Sequence, residues 1–125
     1  MKIKTEDLTG PALDWAVARC EGLLAFGYET DGERLWITLS TGETELYMPR
    51  MDWSQGGPII EREEIGIRRN APCSDGRQWE ASGSITAKGA GYRWGYGPTP
   101  LIAAMRCYVA SRLGEEVEIP DELIV

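Results

Sequence analysis

Several residue types that suit ligand recognition follow one another in the segment DWSQGGPIIERE. Trp53 offers a flat aromatic surface, and Ser54 and Gln55 offer hydrogen-bonding groups. Gly56 and Gly57 carry no Cβ, so their backbone N–H groups can approach a ligand closely. The segment fits either a loop that binds an anionic or purine-like group or a Gly-Gly-Pro turn in which Trp53 packs on the core. It lacks the Walker A and Rossmann glycine spacings, so it is not a specific phosphate motif.

A second candidate site is the segment GYRWGYG, in which Tyr92, Trp94 and Tyr96 alternate with other residues. If the segment is an extended strand, this spacing places the three aromatic side chains on one side and Arg93 on the other. Aromatic faces near a guanidinium suit base stacking and phosphate pairing. The alternative is an edge strand, flanked by glycine, whose aromatic side chains cover the sheet.

Ionisable side chains cluster in the segment EREEIGIRR. Arg68 and Arg69 are candidate partners for the phosphate of a ligand. The neighbouring glutamates could perform acid–base chemistry or hold a divalent ion, although such runs are more often solvated surface ion pairs. If the protein were an enzyme, Asp52 would be the carboxylate to examine first, because it adjoins Trp53.

The sequence contains no histidine. This excludes Ser-His and Cys-His nucleophile pairs, imidazole bases and every His-ligated metal site. The odd cysteine count, at Cys20, Cys73 and Cys107, shows no C-x-x-C spacing, and Cys20 and Cys107 lie in helix-like patterns that favour small buried side chains. We therefore expect no catalytic site, no metal and no cofactor. A carboxylate-dependent nucleotide hydrolase is the least favoured alternative.

Composition predicts one globular domain over residues 1–125, with 42% hydrophobic and 26% charged residues. The net charge of −7 repels phosphate backbones and anionic membranes. We therefore expect neither direct nucleic-acid binding nor membrane binding, whereas a basic protein surface remains a suitable partner. The N-terminal segment MKIKTEDLTG has no apolar signal region, and no apolar run is long enough to span a membrane.

Two amphipathic helices are predicted near the ends of the chain. The first covers about residues 11–21. The last lies in PLIAAMRCYVASRL, where Thr99 is the expected N-cap and Gly114 the expected stop. Its apolar face is wide, and Arg106 and Arg112 lie off the centre of that face.

The chain between these helices is predicted to form mainly strands and loops. RLWITLS and ETELYMP form an expected hairpin, and Gly42 suits its short loop. Further strands are expected in GLLAFGYE, IGIRR and RQWEASGS, and a short one precedes Pro120 in EVEIPDELIV. The predicted class is α+β, with a small antiparallel sheet and the N-terminal and C-terminal amphipathic helices packed on one face.

Three segments together resemble the NinX family, small proteins encoded by tailed phages and prophages of enteric bacteria: LTGPALDWAVARCEG, DWSQGGPIIERE and GPTPLIAAMRCYVASRLGEEVEIPDEL. The resemblance covers both ends and the centre of the chain but not residues 64–95. It implies a phage accessory protein in the host bacterial cytoplasm, and it implies no reaction. The family pattern includes Trp53, Gln55, Gly56 and Gly57, which favours a ligand loop over a simple turn.

These residues suggest a non-enzymatic protein that binds and sequesters a small nucleotide-type ligand, such as a host defence messenger. Because a domain this small has limited concave surface, we expect a homo-oligomer with the pocket between subunits. The alternative is an acidic protein-binding inhibitor that occupies a basic site on a host DNA-handling enzyme, a complex that high salt should weaken more steeply. The predicted ligand-binding residues are Trp53, Ser54, Gln55, Gly56, Gly57, Arg68, Arg69, Arg93, Trp94 and Tyr96.

Overall fold

A computed structural model of the chain describes residues 1–70, 75–83 and 94–124. Within these ranges, both predicted helices are confirmed and a third, α2, was not predicted. The first helix begins and ends within about one residue of its expected bounds. The helices are α1 at Gly10–Cys20, α2 at Trp53–Arg62 and α3 at Pro100–Leu113.

The described strands are short and pair antiparallel in three small sheets. They are β1 (Lys2–Lys4), β2 (Tyr28–Thr30), β3 (Leu35–Thr38), β4 (Thr44–Leu46), β5 (Gly66–Arg69), β6 (Trp79–Ser82), β7 (Trp94–Gly97) and β8 (Glu116–Glu118). The sheets have the strand orders β1-β8, β2-β3-β4 and β5-β6-β7. The predicted hairpin is confirmed: Ile37 of β3 lies opposite Glu45 of β4, and Gly42 takes a φ of +90° in the turn.

The α+β class is confirmed, but the single sheet expected from the sequence is wrong. The strands pair in three separate sheets, and α2 lies between β4 and β5 in the chain where the sequence was expected to continue in strands and loops. The helices also do not share one sheet face. α3 packs against β5, β6 and β7, whereas α1 contacts α3 and β3. No helix in the described part of the chain is long and apolar enough to cross a membrane.

The segment expected to be a loop or a turn is helix α2. Asp52 caps it, because its carboxylate accepts a hydrogen bond from the Ser54 N–H at 2.9 Å. Two glycines and Pro58 lie inside the helix and together cost several kcal/mol of intrinsic helix propensity, roughly 1 for each glycine and 3 for the proline. Tertiary packing outweighs this cost: Ile59 is buried, and Gly56 is in close contact with neighbouring elements.

α3 is the centre of the fold and is buried on almost all sides. As predicted, Thr99 Oγ1 accepts a hydrogen bond from the Ile102 N–H, and Gly114 takes a φ of +88° where the helix ends. The sheet β5-β6-β7 and the helices α1 and α2 all contact it. Arg106, which the sequence pattern placed off the centre of the apolar face, is therefore buried.

Candidate functional site

The alternating glycines of β7 bring this strand directly against the backbone of α3. A Cβ atom added to Gly95 would lie 2.2 Å from the carbonyl oxygen of Ala103 and 2.5 Å from the backbone nitrogen of Cys107. A Cβ at Gly97 would lie 2.9 Å from the backbone nitrogen of Ala103. No side chain larger than hydrogen fits at either position without movement of backbone, so the glycine face of the strand must face α3.

The same alternation turns Trp94 and Tyr96 away from α3. Trp94 is 44% exposed, and Tyr96 is half-buried. The guanidinium carbon of Arg77 lies 4.2 Å from the centroid of the Tyr96 ring. The strand thus presents two aromatic side chains on its outer face, as the sequence pattern predicts, and a cation packs against one of them.

Arg106 of α3 lies under this strand and is only 9% exposed. Its Nε donates to the carbonyl oxygen of Leu8 at 2.9 Å, and its Nη1 donates to the carbonyl oxygen of Tyr96 at 2.7 Å. Among the described residues, no carboxylate oxygen lies within 4 Å of the guanidinium, and Nη2 has no hydrogen-bond partner. Burial lowers the pKa of Arg106, while the charges of Asp7 and Glu6 raise it. An arginine nevertheless stays protonated near neutral pH.

Arg106 lines a cleft of about 440 Å³ between β7, the end of α3 and the N-terminal segment. Two hydrogen bonds from Thr5 hold the N-terminal wall in place: its N–H donates to the carbonyl of Glu115, and its hydroxyl donates to the carbonyl of Gly114. We call this the Arg106 cleft. Its lining residues are Lys4, Thr5, Glu6, Trp94, Gly95, Tyr96, Arg106, Ala110, Glu115 and Glu116.

A second cleft of about 420 Å³ adjoins the first and shares Glu6, Tyr96 and Arg106 with it. We call it the adjoining cleft. Because Arg106 lines both clefts, a ligand in either cleft can contact the same guanidinium. The remaining lining residues of the adjoining cleft are Asp7, Thr9, Asp75, Gly76, Arg77 and Pro98.

The two arginines predicted from β5 lie on opposite faces of their sheet. Arg68 is aligned with Glu80 and Tyr96 across the strands, and its Nε donates to Glu80 Oε1 at 2.7 Å. Arg69 is on the other face, where its guanidinium carbon lies 5.4 Å from the centroid of the Trp79 ring. Neither residue lines the Arg106 cleft or the adjoining cleft. Arg93, together with Tyr92 and Cys73, lies outside the described residues.

Of the residues predicted from DWSQGGPIIERE, Trp53 is 55% exposed at the start of α2. It lines neither of the two clefts. Gly56 is buried: a Cβ there would lie 2.6 Å from Leu101 Cδ2 and 2.6 Å from the carbonyl oxygen of Pro49. Gly57 is more open, since a Cβ there would meet its nearest neighbour, Trp53 Cε3, at 3.9 Å. Gly56 therefore packs helices together and does not admit a ligand.

The polar residues of the same segment are engaged in local structure. Ser54 donates both its N–H and its hydroxyl to Asp52, and these bonds lower the pKa of the Asp52 carboxyl. Gln55 accepts from the Met48 N–H at 2.6 Å and donates to the carbonyl of Leu46 at 2.8 Å. These side chains fix the start of α2, so the structure does not bring them to Trp94 and Tyr96.

The described cysteine and carboxyl groups with strongly raised pKa values do not line the Arg106 cleft. Burial raises the pKa of Cys20 to about 12 and that of Cys107 to about 11, so both thiols stay protonated and weakly nucleophilic near neutral pH. Burial also raises the pKa of Asp14 to about 7, although Arg50 opposes this effect. Among the described residues, no group of three or more acidic or cysteine side chains is arranged to hold a metal ion.

Sequence reasoning found the aromatic half of the Arg106 cleft and missed its cation. Trp94 and Tyr96 were identified because strand alternation is a local signal. Arg106 was placed off the centre of an amphipathic face, although the run AAMRCYVA, with apolar residues on both sides of the arginine, indicates a helix that is buried all round. An arginine in such a run has to find polar partners inside the protein.

Comparison with known proteins identifies a family. A family model described as Bacteriophage P22, NinX matches residues 4–112 of the 125-residue chain. The matched range includes Trp94, Tyr96 and Arg106 as well as helix α2. No curated protein matches the chain.

Proposed function

Since the chain belongs to the bacteriophage P22 NinX family, we propose that it is a non-enzymatic phage accessory protein that binds and sequesters a small nucleotide-type ligand, such as a messenger of a host defence pathway. The proposed site is the Arg106 cleft. One observation carries the proposal: the buried Arg106 guanidinium lines a cleft beside Trp94 and Tyr96 and has no carboxylate partner among the described residues.

The cation supports an anionic ligand because a buried charge that no carboxylate contacts directly is costly. The two carbonyl groups that accept from Arg106 are neutral, and among the described residues Asp7 and Glu6 act on its charge only from a distance, without a salt bridge. A phosphoryl group would supply both the missing charge and acceptors for the remaining N–H groups, and charge-assisted bonds of this kind are about twice as strong as neutral ones.

The aromatic side chains support a base as the second part of the ligand. Stacking of a nucleobase on an aromatic ring contributes about 1–3 kcal/mol and tolerates any base. Trp94 is 44% exposed and Tyr96 is half-buried, and both rings lie on the outer face of β7. Nucleotides combine a planar base with a phosphoryl group, which matches the two kinds of group that line this cleft.

Binding without turnover is supported by the residue types present. The chain has no histidine, and the two described cysteines are protonated thiols near neutral pH. Sequestration requires only affinity, so it needs no nucleophile or general base.

The experiment is capture of a ligand from a nucleotide extract of bacterial cells, followed by native mass spectrometry and identification of the released compound. We expect the wild-type protein to carry an unmodified nucleotide. Trp94→Ala should weaken its binding by about 5- to 150-fold, which corresponds to about 1–3 kcal/mol of stacking. The matched control is Trp53→Ala, which also removes an exposed tryptophan but lies outside the cleft, and it should retain the nucleotide. The same spectra measure whether the protein is the homo-oligomer that we propose.

The outcomes separate three accounts. Loss of binding in Trp53→Ala but not in Trp94→Ala would place the site on α2 and contradict the Arg106 cleft. A released nucleotide that has been hydrolysed would contradict the non-enzymatic assignment. A wild-type protein that carries no nucleotide would contradict the proposed function.

The second candidate function is inhibition of a host protein that has a basic site. It is favoured by the net charge of −7 and by the exposed carboxylates of Glu115, Glu116 and Glu118 near the end of the chain. A complex held by exposed charges should weaken steeply between 0.05 and 0.5 M salt, chosen to span strong and weak screening. Recovery of a host protein from lysate at low salt, and its loss at high salt, would support this candidate if no nucleotide is captured.

A further inference from the structure

We propose, on the basis of the function proposed above, that the Arg106 cleft selects a nucleotide with a single phosphoryl group and discriminates against polyphosphates. The proposal concerns the charge that the cleft can accept. It follows from the placement of cations and carboxylates along the Arg106 cleft and the adjoining cleft.

Of the described cations that line these clefts, one is buried. Arg106 is 9% exposed, whereas Lys4 and Arg77 are exposed, and Arg77 packs on the Tyr96 ring. An exposed cation is already solvated and screened, so it gains little from a phosphoryl group. The buried guanidinium gains most, and one phosphoryl group is sufficient to compensate its single charge.

The rest of the lining is dominated by carboxylates. Among the described residues that line the two clefts, three cationic side chains face five carboxylates, an excess of two negative charges. The first phosphoryl group of a ligand would contact Arg106, but a second and a third would extend towards these carboxylates and be repelled. The carboxylates belong to Glu6, Asp7, Asp75, Glu115 and Glu116.

The same carboxylates suit the uncharged parts of a nucleoside. Ionised carboxylates only accept hydrogen bonds, and ribose hydroxyls and base amino groups are donors. A cleft of about 440 Å³ is also within the size range of sites for one small ligand. A nucleoside with one phosphoryl group therefore matches the cleft in charge, donors and size.

The test is isothermal titration calorimetry with the four ribonucleoside 5′-monophosphates and the corresponding triphosphates, in EDTA so that Mg²⁺ does not mask phosphate charge. We expect at least one monophosphate to bind, and its triphosphate to bind about tenfold more weakly at an ionic strength of about 0.15 M. The double variant Glu115→Gln/Glu116→Gln removes two exposed carboxylates of the cleft and should reduce this ratio to about threefold or less.

A matched control distinguishes local from overall charge. Glu43→Gln/Glu45→Gln changes the net charge by the same amount, and both residues are exposed in the β3–β4 hairpin and line neither cleft. We expect it to leave the ratio of monophosphate to triphosphate affinity unchanged. An equal change in both double variants would mean that the overall charge sets the preference, and it would overturn the inference.

Two further results would also overturn it. A triphosphate that binds more tightly than its monophosphate would show that the cleft favours added phosphate charge, and the proposed function would still stand. If no monophosphate binds while the native mass spectra show a captured nucleotide, the proposed function stands and this choice of ligand class is wrong. If the spectra also show no captured nucleotide, both proposals are wrong.

Discussion

Two regions of this protein combine a buried or half-buried arginine with a neighbouring segment of tryptophan and glycine, and they differ in the groups that the arginine contacts. Beside α2, Arg50 Nε donates to the buried carboxylate of Asp14 at 2.8 Å. Beside β7, Arg106 donates to two backbone carbonyls, and no carboxylate of the described residues forms a salt bridge with it. The first arginine has its counter-ion within the chain, and the second lines a cleft where a ligand can supply one. The amino-acid composition of the two segments does not show which arginine forms an ion pair and which lines a cleft.

The glycines of the two segments also differ in what their close contacts do for the neighbouring side chains. In α2, Gly56 lies against Leu101 and Pro49, and the polar side chains of the segment complete the helix start. In β7, Gly95 and Gly97 lie against α3, and this contact leaves the aromatic side chains facing outwards. In our proposal the β7 segment binds a ligand because its larger residues face outwards beside Arg106, whereas the α2 segment has a structural role.

The largest expected effect comes from breaking the ion pair beside α2. Arg50→Met removes the partner of Asp14, whose side chain is fully buried, and should lower the free energy of unfolding by about 3–5 kcal/mol at pH 8. Arg106→Met removes a cation that has no carboxylate partner and should cost less, about 1–3 kcal/mol, because only two carbonyls lose a donor. Urea unfolding of the two variants compares them. Equal losses would contradict the contrast between the two arginines.

The next largest effect concerns the glycines. Gly95→Ala should lower the free energy of unfolding by about 3 kcal/mol, because the added Cβ would meet backbone atoms of α3 at 2.2 Å and 2.5 Å. Gly57→Ala is the matched control in α2, where the nearest atom is 3.9 Å away, and it should be neutral or stabilise by up to about 1 kcal/mol. Chemical denaturation measures both. A tolerated Gly95→Ala would mean that β7 does not lie on α3 as described.

The pH dependence of stability should depend on Asp14. Burial raises the pKa of its carboxyl to about 7 from an ordinary value of 3.8, so the folded protein holds this proton more tightly than the unfolded chain does. The contribution of the protonated form to stability is fully present below about pH 4 and is lost as the pH rises through 7. We expect Asp14 to make unfolding easier at pH 8 than at pH 5 by at least about 1 kcal/mol.

Asp14→Asn isolates that contribution. It should flatten the difference in unfolding free energy between pH 5 and pH 8, measured by urea titration at each pH. The loss in Arg50→Met should likewise be smaller at pH 5, where the unpaired Asp14 can be neutral. An unchanged slope in Asp14→Asn would show that other groups set the pH dependence.

The smallest expected effect is that of Trp53→Ala on stability. The side chain is 55% exposed, so its removal should change the free energy of unfolding by about 1 kcal/mol or less. Thermal unfolding followed by circular dichroism measures this. A larger loss would give Trp53 the structural role that the sequence left open.

The sequence predicted features that depend on neighbours in the chain. Helices α1 and α3 were found because their caps, prolines and terminal glycines are local signals, and β3 and β4 because alternation and a short turn define a hairpin. The placement of the aromatic residues of β7 on one side of the strand was predicted for the same reason, and the sequence left open whether that side faces a pocket or the core. Each of these signals acts within a few residues.

The features that the sequence did not predict depend on distant parts of the chain. α2 contains Gly-Gly-Pro, which favours a turn, and becomes a helix through contacts of Gly56 and Ile59 with the rest of the fold. Arg106 is buried because Leu8, nearly a hundred residues earlier, accepts from it while β7 packs above it. Two local signals could have predicted these features. Asp52 is a suitable N-cap for α2, and the apolar run on both sides of Arg106 indicates that the arginine is buried.

Binding of a nucleotide in the Arg106 cleft is tested most directly by an NMR titration of ¹⁵N-labelled protein with the nucleotide released in the capture experiment. We predict chemical-shift changes in the indole N–H of Trp94 and the Nε–H of Arg106, and none in the indole N–H of Trp53. A shift confined to Trp53 would place the ligand on α2 and contradict the account.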